Sequence, residues 1–395
     1  MPIVSPGRVV GIDVARYLAL VGMIATHALV TTTPDGGVTT VQLIAGGRAS
    51  ALFAVLAGVS MALMSGGRTP VTGRERAGVA AGLAVRALIV FAIGLALGAL
   101  PTTIAIILSY YGVLFLLGIP FLGLRARSLA LVAIAWALVS PLVSHVVRPE
   151  LPPRTLDSPH PTALMDHPFV LLTELLFTGY YPAVPWLTYL LAGMAVGRCD
   201  LRRVGTAVRL VVIGGAAAVG SRLLSDRLVD DPVVLDALRR TLDEVPHASG
   251  GLADSLEHGL YGSTPTGSGW WLVTSAPHTA TPFDLVHTTG SALLVIGLCL
   301  LVTRVLPTVW AVVFGAGAMT LSLYTLHVIL RTPPFWPDDN PETFWLHVVV
   351  VTVIGAGFRL AGRSGPLERM VASAAGAVRR SVAAGPSGRA TSARR

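Results

Sequence analysis

Apolar residues run through the chain in ten long segments, separated by shorter stretches that hold most of the charged residues. Each segment has roughly the 20 mostly apolar residues that a helix needs to cross the hydrocarbon core of a bilayer. The segments are 9–30, 44–65, 78–99, 103–124, 129–147, 181–198, 204–224, 286–303, 308–330 and 344–361. This pattern predicts an all-α bundle of about ten transmembrane helices.

The composition supports a chain surrounded by lipid. Charged residues make up only 13% of the sequence, against roughly 25% in a typical soluble domain. Charge this sparse cannot cover the surface of a water-soluble protein of 395 residues. The formal net charge of +8 does not indicate nucleic-acid binding, because most arginines lie in short loops and in the C-terminal tail. We therefore expect the lipid bilayer, and no nucleic acid, as a partner.

The arginines also predict an orientation. With the N-terminus placed in the cytoplasm, eighteen arginines fall in inner loops and termini and seven in outer loops. Positive side chains favour the cytoplasmic side of a membrane. Both termini are therefore expected in the cytoplasm, in a multi-pass protein of the plasma membrane.

The segments form one predicted transmembrane domain over residues 1–362. A long outer loop at 225–285 carries acids and the aromatic pair Trp270 and Trp271, which is more typical of a functional loop than of a linker. Residues 363–395 are rich in Ser, Ala, Gly and Arg. This composition predicts a disordered basic cytoplasmic tail.

The first segment contains polar residues where lipid is expected. Asp13, Arg16 and His27 share one helical face with Leu20. A charged side chain inside a bilayer is costly, so it is kept where it has a partner or a task. Arg16 and His27 are about 16 Å apart along the helix axis, which suits one substrate reaching in from the cytoplasm and another arriving outside. The alternatives are an Asp13–Arg16 pair that only neutralises charge, and an interfacial His27 without a chemical role.

A second group of polar residues is expected near the outer surface. Histidines beside carboxylates are typical of acid–base sites or of metal sites. The sequence has no His-x-x-x-His or cysteine-rich spacing, so we predict no metal. The residues in question are Arg48, Glu174, Tyr180, Tyr181, His278, Asp284, His287 and His327.

Several of these stretches resemble known membrane proteins. The run Arg8 to Arg16 followed by His27, the run Gly47 to Phe53, and Gly179 to Pro182 resemble bacterial relatives of heparan-α-glucosaminide N-acetyltransferase. This resemblance covers residues 8–224. Residues 286–362, with the run Ser322 to His327, look more like the YeiB-type membrane proteins. The spacing of Arg16 and His27 is also similar to that of the acyltransferase family 3 enzymes.

These resemblances imply transfer of an acyl group, expected to be acetyl, from cytoplasmic acyl-CoA to an extracytoplasmic sugar or other cell-envelope acceptor. The expected catalytic residues are His27, His287 and His327. Asp13, Arg16, Arg48, Arg74 and Arg76 are the candidates for binding the acyl donor, and Tyr180, Tyr181, Glu174 and Asp284 for binding the acceptor. Arg48 is also a candidate ligand of the acceptor. Tyr180, Tyr181 and Arg48 are the candidates for hydrogen bonds to the developing oxyanion. No bound cofactor is expected, since the acyl-CoA is a substrate.

The rival interpretation is a proton-coupled transporter or channel, in which the polar face of the first helix is the path. Against it, the sequence shows no pair of interrupted helices in matching halves. A homodimer is an open alternative for the assembly.

Overall fold

The computed structural model describes residues 7–33, 36–155, 157–242, 251–260, 262, 264–333, 335 and 341–392. These residues form helices joined by loops, and their one bridge of β type pairs Thr32 with Val38. The helices of the first half are α1 (Val10–Ala28), α2 (Thr40–Ala45), α3 (Arg48–Met64), α4 (Gly73–Gly98), α5 (Leu108–Gly118), α6 (Ala126–Val147), α7 (Pro161–Asp166), α8 (Pro168–Thr173) and α9 (Ala183–Gly197). Those of the second half are α10 (Val204–Val229), α11 (Pro232–Arg240), α12 (Gly251–His258), α13 (Pro282–Val302), α14 (Pro307–Val313), α15 (Thr320–Leu330), α16 (Thr343–Leu360) and α17 (Pro366–Ser392).

The predicted all-α membrane architecture is confirmed. Seven helical stretches in the described part of the chain are long and apolar enough to cross a membrane: Val10–Ala28, Thr40–Met64, Gly73–Gly98, Ala126–Glu150, Val204–Val229, Pro282–Val302 and Thr343–Leu360. Shorter apolar helices cover Leu108–Gly123, Pro168–Thr178, Ala183–Gly197 and Thr320–Leu330. Each of the ten predicted segments overlaps one of these helices. Pro168–Thr178 is an apolar helix that the pattern did not predict.

Helix α1 lies at the centre of the bundle. Over a stretch of membrane-spanning length, 67% of the residues of α1 are buried inside the protein, against 22% for α10. It packs against α3, α13, α16 and the turn that precedes α15. The polar face of α1 is therefore enclosed by protein, as its sequence predicts.

Glycines bring α3 and α9 into backbone contact. A Cβ added at Gly193 would lie 1.8 Å from the carbonyl oxygen of Val55, and one at Gly58 would lie 2.0 Å from that of Leu190. Small residues at such positions are the usual means by which membrane helices approach closely. This contact fixes α3, which forms one wall of the site described below.

The ninth predicted segment, 308–330, is not one continuous helix, and that prediction is wrong. It divides into α14, a 3-10 turn at Gly315–Ala318, and α15. A Cβ at Gly317 would lie 1.8 Å from the carbonyl oxygen of Asp13, and one at Gly355 would lie 2.2 Å from the Ala316 nitrogen. The turn therefore passes between α1 and α16, where there is no room for side chains, and α15 begins inside the bundle.

The C-terminal tail is helical where the structure describes it, so the prediction of a disordered tail is wrong there. Helix α17 packs along α4, and Val371 is fully buried. Gly78 and Gly82 of α4 permit this approach, since a Cβ at Gly82 would lie 2.8 Å from the Ala375 carbonyl oxygen. The tail is too polar to predict a packed helix from composition alone, and its order depends on this contact.

The long loop at 225–285 also has structure. It contains α11, α12 and a 3-10 turn at Gly269–Val273. Residues of these elements form a small apolar cluster of their own, consisting of Val234, Leu238, Leu252, Leu260 and Trp271. Residues 243–250 lie outside the described part.

We predict that Gly193→Ala destabilises the protein, because the new Cβ would overlap the α3 backbone. Overpacking typically costs about 1–3 kcal/mol, which thermal unfolding in detergent would detect as a lower midpoint. The matched control is Gly215→Ala in α10, where a Cβ meets no atom within 4 Å. An alanine there should be neutral or slightly stabilising. Equal midpoints for the two variants would contradict the close α3–α9 packing.

Candidate functional site

Helix α1 has an arginine, Arg16, toward one end and a histidine, His27, at the other, and we name the two ends of the bundle after these residues. The Arg16 end is the end at which α1 begins, and the His27 end is the end at which α1 finishes. Helix α3 runs in the opposite sense, since Gly47 lies beside the His27 chamber and Met64 beside the Arg16 cavity. Both cavities are described below.

Three histidines form a hydrogen-bonded chain at the His27 end. His27 Nδ1 lies 3.2 Å from His327 Nε2, and His327 Nδ1 lies 3.3 Å from His347 Nδ1. The rings of His27 and His327 are nearly parallel, with an interplanar angle of 8°. His327 is fully buried. This row of histidines brings together two of the predicted catalytic residues, His27 and His327. It also includes His347, which was not predicted to be catalytic.

A small cavity adjoins this histidine chain. It has a volume of about 30 Å³, and we call it the His27 chamber. Its polar groups come from Thr26, His27, Ser50, Tyr181, His278 and Tyr324. One water molecule needs roughly 10–15 Å³ of such volume, so the chamber accommodates only two or three non-hydrogen atoms.

A second, larger cavity lies toward the Arg16 end. It has a volume of about 360 Å³, and we call it the Arg16 cavity. It extends along α3 from Phe53 to Met64, which corresponds to about 16 Å of helix. Its lining is mostly apolar, and its charged residues are Arg16, Arg86 and Glu368.

One layer of side chains separates the two cavities. Met23, Ile107 and Tyr324 line both of them. The Ile107 N–H donates a long hydrogen bond of 3.5 Å to Tyr324 Oη. All three residues are buried. We call this layer the partition.

The Arg16 end has an excess of positive charge. Asp13 accepts hydrogen bonds from Arg8 Nε at 2.6 Å and from Arg16 at 3.2 Å, so one carboxylate is shared by two guanidinium groups. Arg16 also donates to Ser60 Oγ at 2.7 Å. Arg86 has neither a hydrogen bond nor an ion pair among the described residues, although Glu368 of α17 lines the same cavity. This excess suits an anionic ligand.

The predicted roles of His287 and Arg48 do not fit their positions. Arg48 Nε donates to His287 Nε2 at 3.1 Å, and His287 Nδ1 donates to the Ala218 carbonyl oxygen at 2.8 Å. Both ring nitrogens of His287 are therefore occupied, and the residue does not line the His27 chamber. Arg48 begins α3 at the His27 end, so it cannot reach a donor bound in the Arg16 cavity.

The remaining predicted donor residues lie at the Arg16 end. Arg74 and Arg76 belong to the first turn of α4, and they do not line the Arg16 cavity. The Arg76 guanidinium packs over Gly123, where a Cβ would lie 2.7 Å from its Nη1.

Of the predicted acceptor residues, Tyr181 lies in the His27 chamber and donates from Oη to the Ala105 carbonyl oxygen at 3.3 Å. Tyr180 lies beside a different cavity of about 550 Å³, with the Arg154 guanidinium 5.3 Å from its ring centre. Glu174 is buried and accepts from the backbone N–H and Oγ1 of Thr155. Glu174 therefore anchors a loop and does not face the chamber.

Asp284 positions the loop that carries His278 into the chamber. Its Oδ2 accepts from the Ala280 N–H at 2.9 Å. His278 and Ala280 have φ values of 58° and 54°, a left-handed conformation that is unfavourable for residues other than glycine. Such strain is found most often at functional sites, where neighbouring contacts maintain it. His278 had no predicted catalytic role, because a strained backbone conformation leaves no recognisable pattern in an amino-acid sequence.

The family of the chain follows from a comparison with known protein families. The family described as heparan-alpha-glucosaminide N-acetyltransferase, catalytic, matches residues 8–222. The chain belongs to this family. No individual curated protein matches it significantly.

The acetyltransferase match confirms the resemblance predicted for the first half of the chain. It includes Arg16, His27 and Ile107, which lie on the two cavities, and it ends before His278, Tyr324 and His327. The predicted YeiB-type resemblance concerns residues after the match and stays a prediction. The residues that α15 and the loop before α13 bring to the His27 chamber therefore lie outside the matched range.

We predict that acid destabilises the protein partly through His278. Burial lowers the pKa of His278 to about 4, below the value of about 6.5 in an unfolded chain. The unfolded state then binds more protons between these values, so the free energy of unfolding falls as the pH is lowered from about 6.5 to 4. His278→Asn removes this titration and keeps a residue that tolerates positive φ. The unfolding midpoint in detergent should fall less steeply with acid in the variant than in the wild type, and identical slopes would contradict the assignment.

Proposed function

We propose that the protein is an integral membrane acyltransferase, which transfers an acyl group from acyl-CoA in the Arg16 cavity to an acceptor at the His27 end. The observation that carries this proposal is the pair of cavities along α1, separated only by the partition. The arginine distribution places the Arg16 end in the cytoplasm, where acyl-CoA would be available. The acceptor then lies outside the plasma membrane, and an envelope sugar is the class we favour.

The Arg16 cavity has the charge and shape that an acyl-CoA requires. Guanidinium groups bind phosphate through charge-assisted hydrogen bonds, and Arg16 and Arg86 stand on its wall. Arg74 and Arg76 are available nearer the mouth. Beyond these residues the lining is apolar, which suits the extended pantetheine arm. The thioester would then lie at the partition.

His27 is the proposed general base. An acceptor hydroxyl or amine in the chamber loses its proton to His27, and its oxygen or nitrogen attacks the thioester carbonyl carbon. The carbon–sulfur bond breaks, and the thiolate leaves on the Arg16 side and takes up a proton there. His327 orients the His27 ring through their hydrogen bond, and His327 and His347 offer a route for the proton away from the acceptor.

Tyr324 is the proposed donor to the developing oxyanion. Its Oη accepts from the Ile107 N–H, which leaves the hydroxyl proton free to point into the partition. A fixed donor at this position stabilises the negative charge of a tetrahedral intermediate. Of the oxyanion donors expected from the sequence, Tyr180 and Arg48 do not line the chamber. Tyr181 does line it, but its hydroxyl donates to the Ala105 carbonyl oxygen.

The acceptor reaches the chamber with its reacting group only, because the chamber is so small. The rest of a polar acceptor would occupy the surface nearby. The polar residues that line the cavity of about 550 Å³ beside Tyr180 include Thr102, Asp157, His160 and Thr162. Such polar groups suit the hydroxyls of a sugar.

One observation favours the rival, a proton-coupled transporter. The break between α14 and α15 resembles the interrupted helices that form substrate sites in transporters. A transporter would need the partition to open for a whole solute. An acyltransferase needs only the acyl group to cross.

We predict that His27→Ala abolishes acyl transfer, since it removes the base. The assay is thiol release from acetyl-CoA by detergent-purified protein, with glucosamine and crude envelope glycans as acceptors. General bases contribute about 10²–10⁴-fold, so a loss of at least 100-fold is expected. The control is His167→Ala, because His167 is exposed and lines neither the Arg16 cavity nor the His27 chamber.

His287→Ala decides between the two candidate bases. Because His287 does not line the chamber, its variant should retain transfer activity. Retained activity in His27→Ala together with its loss in His287→Ala would overturn the assignment. Solute uptake into proteoliposomes, without thiol release from any acyl-CoA, would favour the transporter.

We also predict that Arg86→Ala raises the KM for acyl-CoA. A hydrogen bond to a charged group contributes about 1.5–3 kcal/mol, so an increase of tenfold or more is expected, with a smaller change in kcat. The matched control is Arg209→Ala in α10. Among the residues that the structure describes, the Arg209 guanidinium hydrogen-bonds only the Gly205 carbonyl oxygen of its own helix. An unchanged KM in Arg86→Ala would exclude Arg86 from the donor site.

A further inference from the structure

We propose that the partition of Met23, Ile107 and Tyr324 limits the transferred acyl group to about the size of acetyl. This inference rests on the proposed acyltransferase function and adds the residues that determine its acyl specificity.

The direction of the thioester follows from the two cavities. The pantetheine arm of CoA needs the larger Arg16 cavity, so the sulfur at its end must stay on that side of the partition. The acyl group extends ahead of the sulfur, toward His27. The space beyond the partition, and not the space behind it, therefore limits the length of the acyl chain.

That space is small. The His27 chamber holds about 30 Å³, against about 360 Å³ behind the partition. At roughly 10–15 Å³ for each water-sized group, it has room for the methyl group of an acetyl whose carbonyl carbon lies at the partition, together with the reacting atom of the acceptor. A butyryl group has two further carbons, which would have to displace a wall of the chamber.

The walls at the partition come from three separate elements. Met23 belongs to α1, Ile107 caps the N-terminus of α5, and Tyr324 belongs to α15. Their exposed fractions are 5%, 2% and 2%, so packing holds each of them from several sides. The hydrogen bond from the Ile107 N–H ties Tyr324 to α5, which keeps the gap between these two elements narrow.

Met23 is the member that a substitution can remove most cleanly. Its unbranched side chain makes no hydrogen bond that fixes a neighbour, whereas Tyr324 also carries the proposed oxyanion donor. Truncation of Met23 enlarges the chamber next to His27 and leaves the polar groups in place. Longer acyl groups should then fit ahead of the thioester.

The experiment compares acetyl-CoA, butyryl-CoA and octanoyl-CoA as donors for the full-length protein in detergent, with thiol release and acylated glucosamine as readouts. One methylene in an apolar pocket is typically worth about 10–200-fold in kcat/KM. The wild type should therefore favour acetyl over butyryl by at least about tenfold. Met23→Ala should lower this ratio by about tenfold or more.

Met64→Ala is the matched control. Met64 is the same residue type and lines the Arg16 cavity, but it is not part of the partition. Its substitution should leave the acetyl-to-butyryl ratio unchanged. If Met23→Ala does not fold, Ile107→Ala opens another wall of the same chamber and should shift the ratio in the same direction.

The possible outcomes test separately whether the partition limits the size of the acyl group and whether the protein is an acyltransferase. Equal use of acetyl-CoA and octanoyl-CoA by the wild type would show that the partition does not limit acyl size, although the proposed acyltransferase function would stand. A shift of the same size in Met23→Ala and Met64→Ala would also overturn the size limit, because the effect would then be general loosening. No thiol release from any acyl-CoA by the wild type would reject the acyltransferase function and the size limit together.

Discussion

The geometry of the whole site depends on the buried carboxylate of Asp13. It accepts hydrogen bonds from Arg8 and Arg16, so two partly buried guanidinium groups hold one buried carboxylate. The same residue offers its backbone to the turn before α15, where Gly317 lies against the Asp13 carbonyl group. The ion pairs and this contact fix the rotation of α1 about its own axis. Because one residue corresponds to 100° of rotation, a small change would turn Met23 away from the partition and His27 away from His327.

The sequence predicted those features that depend on local pattern. Apolar segments of membrane length gave the all-α bundle, and the spacing of Asp13, Arg16 and His27 gave the enclosed face of α1. The break in the ninth segment and the order of α17 escaped prediction for one shared reason. Both depend on glycines of a distant helix, since Gly355 lies against the Ala316 backbone and Gly82 lies against α17. A close approach of two backbones cannot be recognised in either sequence alone.

The candidate site shows the same limit. His287, His327 and His347 are all histidines near the same predicted surface, and depth along the membrane cannot rank them. Which histidine can act as the base depends on the direction of each ring and on which hydrogen bonds its nitrogens already make. His287 is occupied by Ala218 and Arg48, whereas His327 is directed between His27 and His347. The family match ends at residue 222, and the residues that later helices bring to the site were accessible only through the packing of α13, α15 and α16 against α1.

A closed partition fits acyl transfer between the two cavities better than it fits the transport of a whole solute across the bundle. Moving a whole sugar or CoA across the bundle would require a wide path, and a polar molecule on that path would lose its hydration. In acyl transfer both substrates stay on their own sides, and only the acyl group passes between Met23, Ile107 and Tyr324. The bond that forms on the His27 side replaces the bond that breaks on the Arg16 side, so the layer never needs to open to water. A small chamber is then not an obstacle to function, because it excludes water from the thioester while the acceptor is bound.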